Sequence, residues 1–131
     1  MKTLIVEDDF TCRLLLQEIL KKYGPAHVAI NGREAVEAVA KSLAEAEPYN
    51  LITMDVMMPE MDGQEALKEI RRLENEKDVA AVHGAKVIMT TTLDDSGNIL
   101  GAFKSECDAY LIKPVDKEKL LGYLRGFGFI E

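Results

Sequence analysis

No apolar run in this chain approaches the roughly 18 residues needed to cross a membrane, so membrane insertion is not expected. A leader is missing too: Met1-Lys2-Thr3-Leu4-Ile5-Val6-Glu7 turns acidic too early for a signal peptide, and the expected location is the cytoplasm. Basic charge is in short supply. Sixteen Lys and Arg face 23 Asp and Glu, a formal net charge of −7, which argues against direct nucleic-acid binding but not against a basic protein partner. Cys12 and Cys107 sit in apolar segments without CxxC spacing, and read as buried free thiols in a reducing compartment rather than as a disulfide or metal pair. His27 and His83 share no metal-ligand spacing. Internal repeats, low-complexity segments and interdomain linkers are absent, so residues 1–131 are expected to form one domain.

What is present is an alternation. Short apolar runs occur at Leu4-Ile5-Val6, Val28-Ala29-Ile30, Leu51-Ile52-Thr53-Met54, Val87-Ile88-Met89 and Ala109-Tyr110-Leu111-Ile112. Between them lie stretches with helical spacing. Leu16, Ile19, Leu20 and Tyr23 form the first stripe, which Gly24-Pro25 stops. Asn31 with Glu34 offers a cap for a stripe of Ala35, Val36, Val39, Ala40 and Leu43. Asp62 with Glu65 does the same for Ala66, Leu67, Ile70 and Leu73. Ile99, Leu100 and Phe103 mark a short fourth helix, and Asp116 caps a fifth carrying Leu120, Leu121 and Leu124. Five apolar strands each followed by a helix imply a parallel sheet covered on both faces, with right-handed crossovers limiting the topologies. The stretch Asn75 to Ala85 is longer and more polar than most connections, and reads as an exposed extension of the third helix or a loop.

In such sheets ligands bind beyond the carboxyl ends of the strands. The residues expected there are Glu7, Asp8 and Asp9, then Asp55, Val56 and Met57, then Thr90, Thr91 and Thr92, then Lys113 and Pro114. Asp9 reads as a helix cap. Three carboxylates and one amine at one sheet edge make a hard, oxygen-rich site. Two carboxylates about 4 Å apart repel by about 4 kcal/mol at an effective dielectric of 20, so a cation stabilises the cluster. Oxygen donors without Cys or His suit Mg²⁺ rather than zinc.

These segments resemble the signatures of bacterial two-component response-regulator receiver domains. The likeness lies in Leu4 to Asp9, Met54-Asp55-Val56-Met57-Met58-Pro59-Glu60-Met61-Asp62-Gly63, Val87-Ile88-Met89-Thr90-Thr91 and Tyr110-Leu111-Ile112-Lys113-Pro114. The resemblance implies a flavodoxin-like, doubly wound five-stranded parallel sheet of order 2-1-3-4-5 with helices on both faces. It implies that Asp55 accepts a phosphoryl group from a sensor histidine kinase or phosphotransfer protein. Asp8 and Asp55 then ligate Mg²⁺, Glu7 acts mainly through a water on the ion, and Met57 contributes its backbone carbonyl. Lys113 pairs with Asp55 or the phosphoryl oxygens. Thr91 supplies the hydroxyl that moves onto the phosphoryl group, and the rotamer of Tyr110 reports the switch. The face formed by the fourth helix, fifth strand and fifth helix is remodelled for a downstream protein target. The Lys113-Pro114 bond is expected to be cis.

Such a module catalyses only its own phosphorylation and dephosphorylation and is not otherwise an enzyme. Thr92 replaces the small residue usual beside the phosphoryl site, and Met57 and Leu93, flanking the path of an attacking water, are apolar. The last helix leaves no room for an output domain before Glu131, so a stand-alone receiver is expected, with Phe127, Phe129 and Ile130 packing back on the sheet. Three alternatives remain. A Mg²⁺-dependent phosphohydrolase would use Asp55 as a turnover nucleophile, but that class commonly has a second Asp where this chain has Met57. A pseudo-receiver would bind partners without phosphorylation, against the intact Glu7, Asp8, Asp55, Thr91 and Lys113 set. A flavodoxin would need a Ser/Thr/Gly-rich phosphate loop after the first strand.

Overall fold

The structure is a computed structural model that describes residues 1–58, 61–77, 84–92 and 107–131. Five parallel strands pair in the order β2-β1-β3-β4-β5, the order that the resemblance implied. They are β1 (Thr3–Val6), β2 (Ala26–Ala29), β3 (Leu51–Asp55), β4 (Lys86–Thr91) and β5 (Ala109–Ile112). The described helices are α1 (Phe10–Leu20), α2 (Gly32–Ala44), α3 (Gly63–Glu76) and α4 (Lys117–Gly126), with a 3-10 turn over Lys21–Tyr23. The short helix expected around Ile99, Leu100 and Phe103 lies outside the described residues, as do Pro59, Glu60, His83 and Leu93.

Each helix starts where its cap predicts. Asp9, Asn31, Asp62 and Asp116 each accept from a backbone N–H two or three residues on, which satisfies donors that the first helical turn leaves without partners. Two apolar layers result. Leu4, Val6, Ile52, Met54, Val87 and Met89 meet α2 and α3 on one face. Ile5, Leu51, Ile88 and Leu111 meet α1 and α4 on the other, where Phe127, Phe129 and Ile130 also pack. Burial on both faces is why the central strands read as continuous apolar runs.

The edge strand departs from expectation. β2 begins at Ala26 and ends at Ala29, while Ile30 is exposed and turns its N–H to Glu34 Oε1 at 3.0 Å. Being paired on one side only, β2 needs fewer apolar residues, so its run does not mark its ends. β4 is longer than its apolar core, with Thr90 and Thr91 as its last two residues rather than the loop after it. Cys12 and Cys107 are free thiols but only partly buried. The Asn75 to Ala85 stretch splits: Asn75 and Glu76 close α3, and Ala85 is buried rather than exposed, with residues 78–83 outside the described set. The Lys113-Pro114 bond is cis.

Candidate functional site

Parallel pairing aligns the carboxyl ends of β1, β3, β4 and β5. Val6 stands opposite Met54, Asp55 opposite Thr90, and Thr91 opposite Ile112. Glu7 and Asp8 follow β1, Asp55 and Thr91 are the last residues of β3 and β4, and Lys113 follows β5. The chain leaves β1 toward β2 on one side and has β3 on the other, so the cluster sits at the topological switch point of the sheet.

Ligand oxygens of Glu7, Asp8 and Asp55 lie within 4.8 Å of one another. Glu7 is fully buried and Asp55 is 5% exposed, whereas Asp8 is open to solvent. Lys113 Nζ reaches between the buried pair, 2.9 Å from Glu7 Oε1 and 3.2 Å from Asp55 Oδ2. Asp9 N–H donates to Glu7 Oε2 at 3.1 Å, and Met57 N–H to Asp55 Oδ1 at 3.3 Å.

One ammonium does not balance three carboxylates. Burial pushes the Asp55 carboxyl up to about 7, and the hydrogen bond and charge of Glu7 push the same way against Lys113. Burial also raises Glu7, but Lys113, Asp55 and the Asp9 amide together outweigh it and hold that carboxyl below its ordinary value. Burial opposes the Lys113 charge, yet Glu7 and Asp55 lift that amine to about 12. The amine is therefore a fixed cation. Asp55 carries the strain of the cluster, as a group poised for chemistry does.

Glu7 Oε1 is completely buried and makes no hydrogen bond, and the Lys113 ammonium is its ionic partner. A buried carboxylate oxygen with spare capacity, in an all-oxygen set lacking Cys and His, fits a hard divalent cation.

The expected residues separate clearly. Glu7, Asp8, Asp55 and Lys113 come together. Asp9 caps α1, with Oδ2 accepting from Cys12 N–H at 2.8 Å. The Met57 side chain is 52% exposed beside Asp55, and Thr92 is exposed too. Thr91 is buried at 1% exposure, its hydroxyl donating to Thr92 O over a long 3.3 Å. Tyr110 stands opposite Met89, so Thr91, two residues beyond Met89, shares its face of the sheet as a diagonal neighbour.

The sequence reading missed Arg71, Glu74 and Asp108, which form an ion-pair network at the opposite, amino ends of β4 and β5. Glu74 is 3% exposed. A signal was there: Ala66, Ile70 and Glu74 step by four along α3, so Glu74 continues the apolar stripe.

Residues 3–125 match the family model described as the response regulator receiver domain. The chemotaxis protein CheY of Thermotoga maritima is 32% identical over 122 residues, covering 92% of this chain and 91% of that protein. The receiver domain of the histidine kinase CKI1 from Arabidopsis thaliana, solved with Mg²⁺ and BeF₃⁻, superposes with a TM-score of 0.80 at 30% identity, covering 97% of this chain and 89% of that one. The receiver domain of sensor histidine kinase PA1611 from Pseudomonas aeruginosa, with a magnesium ion in its active-site cleft, gives 0.76 at 25% identity, over 95% and 94% of the two chains.

Proposed function

The chain belongs to the response regulator receiver domain family of two-component signalling, and from that membership we propose that Asp55 is its phosphoacceptor, that Mg²⁺ is its cofactor, and that residues 1–131 act as one receiver. Receiver domains take their phosphoryl group from histidine kinases or phosphotransfer proteins; the donor here is of that class, and the partner that reads the result is a protein. Among the described residues no helix is long and apolar enough to cross a membrane.

The observation that carries the reading is the buried Asp55 carboxylate, 3.2 Å from a lysine that is itself shared with buried Glu7. Asp55 attacks the donor's phosphorus, the new bond forms to a carboxylate oxygen, and the donor leaves with the electron pair of the broken bond. Lys113 offsets the charge that accumulates on the acceptor and phosphoryl oxygens. Asp8, Asp55 and the Met57 carbonyl would hold Mg²⁺, with Glu7 acting through water. When bound, the ion would neutralise charge on the acceptor and the phosphoryl group together. The acyl phosphate adds acceptor oxygens within reach of a hydroxyl. Thr91 is the donor we assign, since its present bond is long and weak. Its movement opens space on the face it shares with Tyr110, which is how a local charge change biases a two-state element.

Incubation with acetyl phosphate and Mg²⁺, read by intact mass, tests the proposal. One stable phosphoryl adduct per chain is expected. Rapid turnover of the phosphodonor would instead indicate a phosphohydrolase, and no adduct a pseudo-receiver.

Two smaller effects follow from the same site. Asp8→Ala removes the exposed ligand and should weaken Mg²⁺ binding at least tenfold by calorimetry, whereas unchanged affinity would take Asp8 out of the metal site. The acyl phosphate should also be long-lived. Hydrolysis needs a water aligned with the bond to Asp55, and the exposed thioether of Met57 is a poor partner for one. Misplaced geometry can cost on the order of 100-fold in rate. Met57→Asn combined with Leu93→Glu should therefore speed decay at least tenfold, and equal decay in wild type and variant would sink this argument.

A further inference from the structure

We propose that Gly32, the first residue of α2, is a positioning residue for the acceptor loop, its missing side chain letting the Met61 carbonyl dock on α2 and so holding the Gly63 end of that loop against the strand end that carries Asp55. The role rests on Asp55 being the phosphoacceptor.

Gly32 lies in ordinary helical backbone, where glycine is among the poorest choices. Nothing about its own conformation demands it. What demands it is approach: Gly32 N–H donates to Met61 O at 3.2 Å, and a Cβ on Gly32 would lie 2.2 Å from that oxygen, 3.0 Å from the Met61 carbonyl carbon and 3.1 Å from Ala66 Cβ. The obstruction is backbone, which cannot swing aside as a long side chain can. An alanine would have to open the 2.2 Å contact to at least 3.0 Å by moving either α2 or the loop.

Just past Met61 the loop is held on the acceptor strand. Gly63 N–H donates to Val56 O at 2.9 Å, and a Cβ on Gly63 would lie 2.3 Å from Asp55 O, so the far end is pressed against the acceptor strand itself. Val56 N–H is in turn held by Thr90 O at 2.9 Å. Gly63 stands two residues from Met61, so a displacement of Met61 passes through Asp62 into the contacts with Asp55 and with Val56, the residue before Met57. That residue is tied to Asp55 through its N–H, 3.3 Å from Oδ1, and is the one we assign a carbonyl toward the ion. α2 thus acts on the phosphoryl site without touching it.

The experiment compares wild type, Gly32→Ala and, as a matched helix substitution with open space around it, Gly122→Ala. Each is phosphorylated with acetyl phosphate and Mg²⁺, and Mg²⁺ affinity is measured alongside the melting curve. Gly32→Ala should lose at least tenfold in phosphorylation rate or Mg²⁺ affinity while still melting cooperatively, with Gly122→Ala within twofold of wild type. Rate and affinity both within twofold in Gly32→Ala would overturn the proposal. If wild type itself takes no phosphoryl group, it is the phosphoacceptor reading that fails. Should Gly32→Ala not fold, wild-type amide exchange decides. Adding Mg²⁺ and beryllofluoride should slow exchange of the Gly32 N–H several-fold as the loop locks onto it, and unchanged exchange overturns the proposal.

Discussion

Asp55→Asn is expected to take up no phosphoryl group from acetyl phosphate and Mg²⁺ while folding at least as stably as wild type. An amide oxygen has neither the charge nor the nucleophilicity to form the mixed anhydride, so the loss is complete rather than partial. The stability half comes from the cluster. In cation-free buffer, burial and Glu7 hold the Asp55 carboxyl up near 7, against an ordinary value of 3.8. Folded protein therefore binds more protons than unfolded chain between those values, and stability attributable to Asp55 is present at pH 4 and lost as pH climbs toward 7. Asparagine carries no such loss. The variant's advantage should be absent at pH 4, reach about 3–4 kcal/mol at pH 7, and shrink when Mg²⁺ is added to wild type. Denaturant melts at the two pH values read the effect. An adduct on the variant would move the acceptor elsewhere; a variant less stable than wild type at pH 7 would mean that Asp55 is a structural partner of Lys113 before it is a strained acceptor.

Much of this site was legible because its logic is positional. A parallel sheet buries its strands on both faces, so apolar runs mark them, and the first charged residue after each run lands at the carboxyl edge. Glu7, Asp55 and Lys113 follow from that rule, and the caps Asn31 and Asp62 fix where α2 and α3 begin. Where the rule assumes burial it fails. β2 sits at an edge, and Val28 and Ile30 are 37% and 46% exposed, so an apolar run there did not locate the strand's ends. Contacts between distant backbones were not legible at all. Nothing in the sequence singles out Gly32, whose backbone lies against Met61 O.

The acidic residue α3 buries makes the second large expectation. Glu74→Ala should destabilise the fold by about 3 kcal/mol, the lower end for breaking a buried ion pair. Glu74 Oε1 accepts from Arg71 Nη1 at 2.8 Å, and its Oε2 accepts from Ala85 N–H at 2.7 Å. The arginine also reaches Ala85 O at 2.7 Å and Asp108 Oδ2 at 3.1 Å, and that same Oδ2 accepts from Val87 N–H at 2.8 Å. The network thereby fastens the starts of β4 and β5 to α3. Removing Glu74 leaves a buried N–H without its acceptor, itself worth about 1–3 kcal/mol, and takes from Arg71 one of its two carboxylates among the described residues. Asp108 keeps the guanidinium paired, which is why the loss stays at the lower end. Glu76, two residues on and so on the face away from α3's buried side, is 57% exposed at its side chain and also pairs with an arginine, Arg72. Solvent screens that pair, and Glu76→Ala should cost less than about 0.5 kcal/mol. At roughly 4 °C per kcal/mol the two variants should melt about 10 °C apart. The network lies at the sheet's amino edge, away from Asp55, so folded Glu74→Ala should still phosphorylate at the wild-type rate. Equal melting temperatures for the two variants would show that Glu74's burial contributes nothing beyond a surface pair.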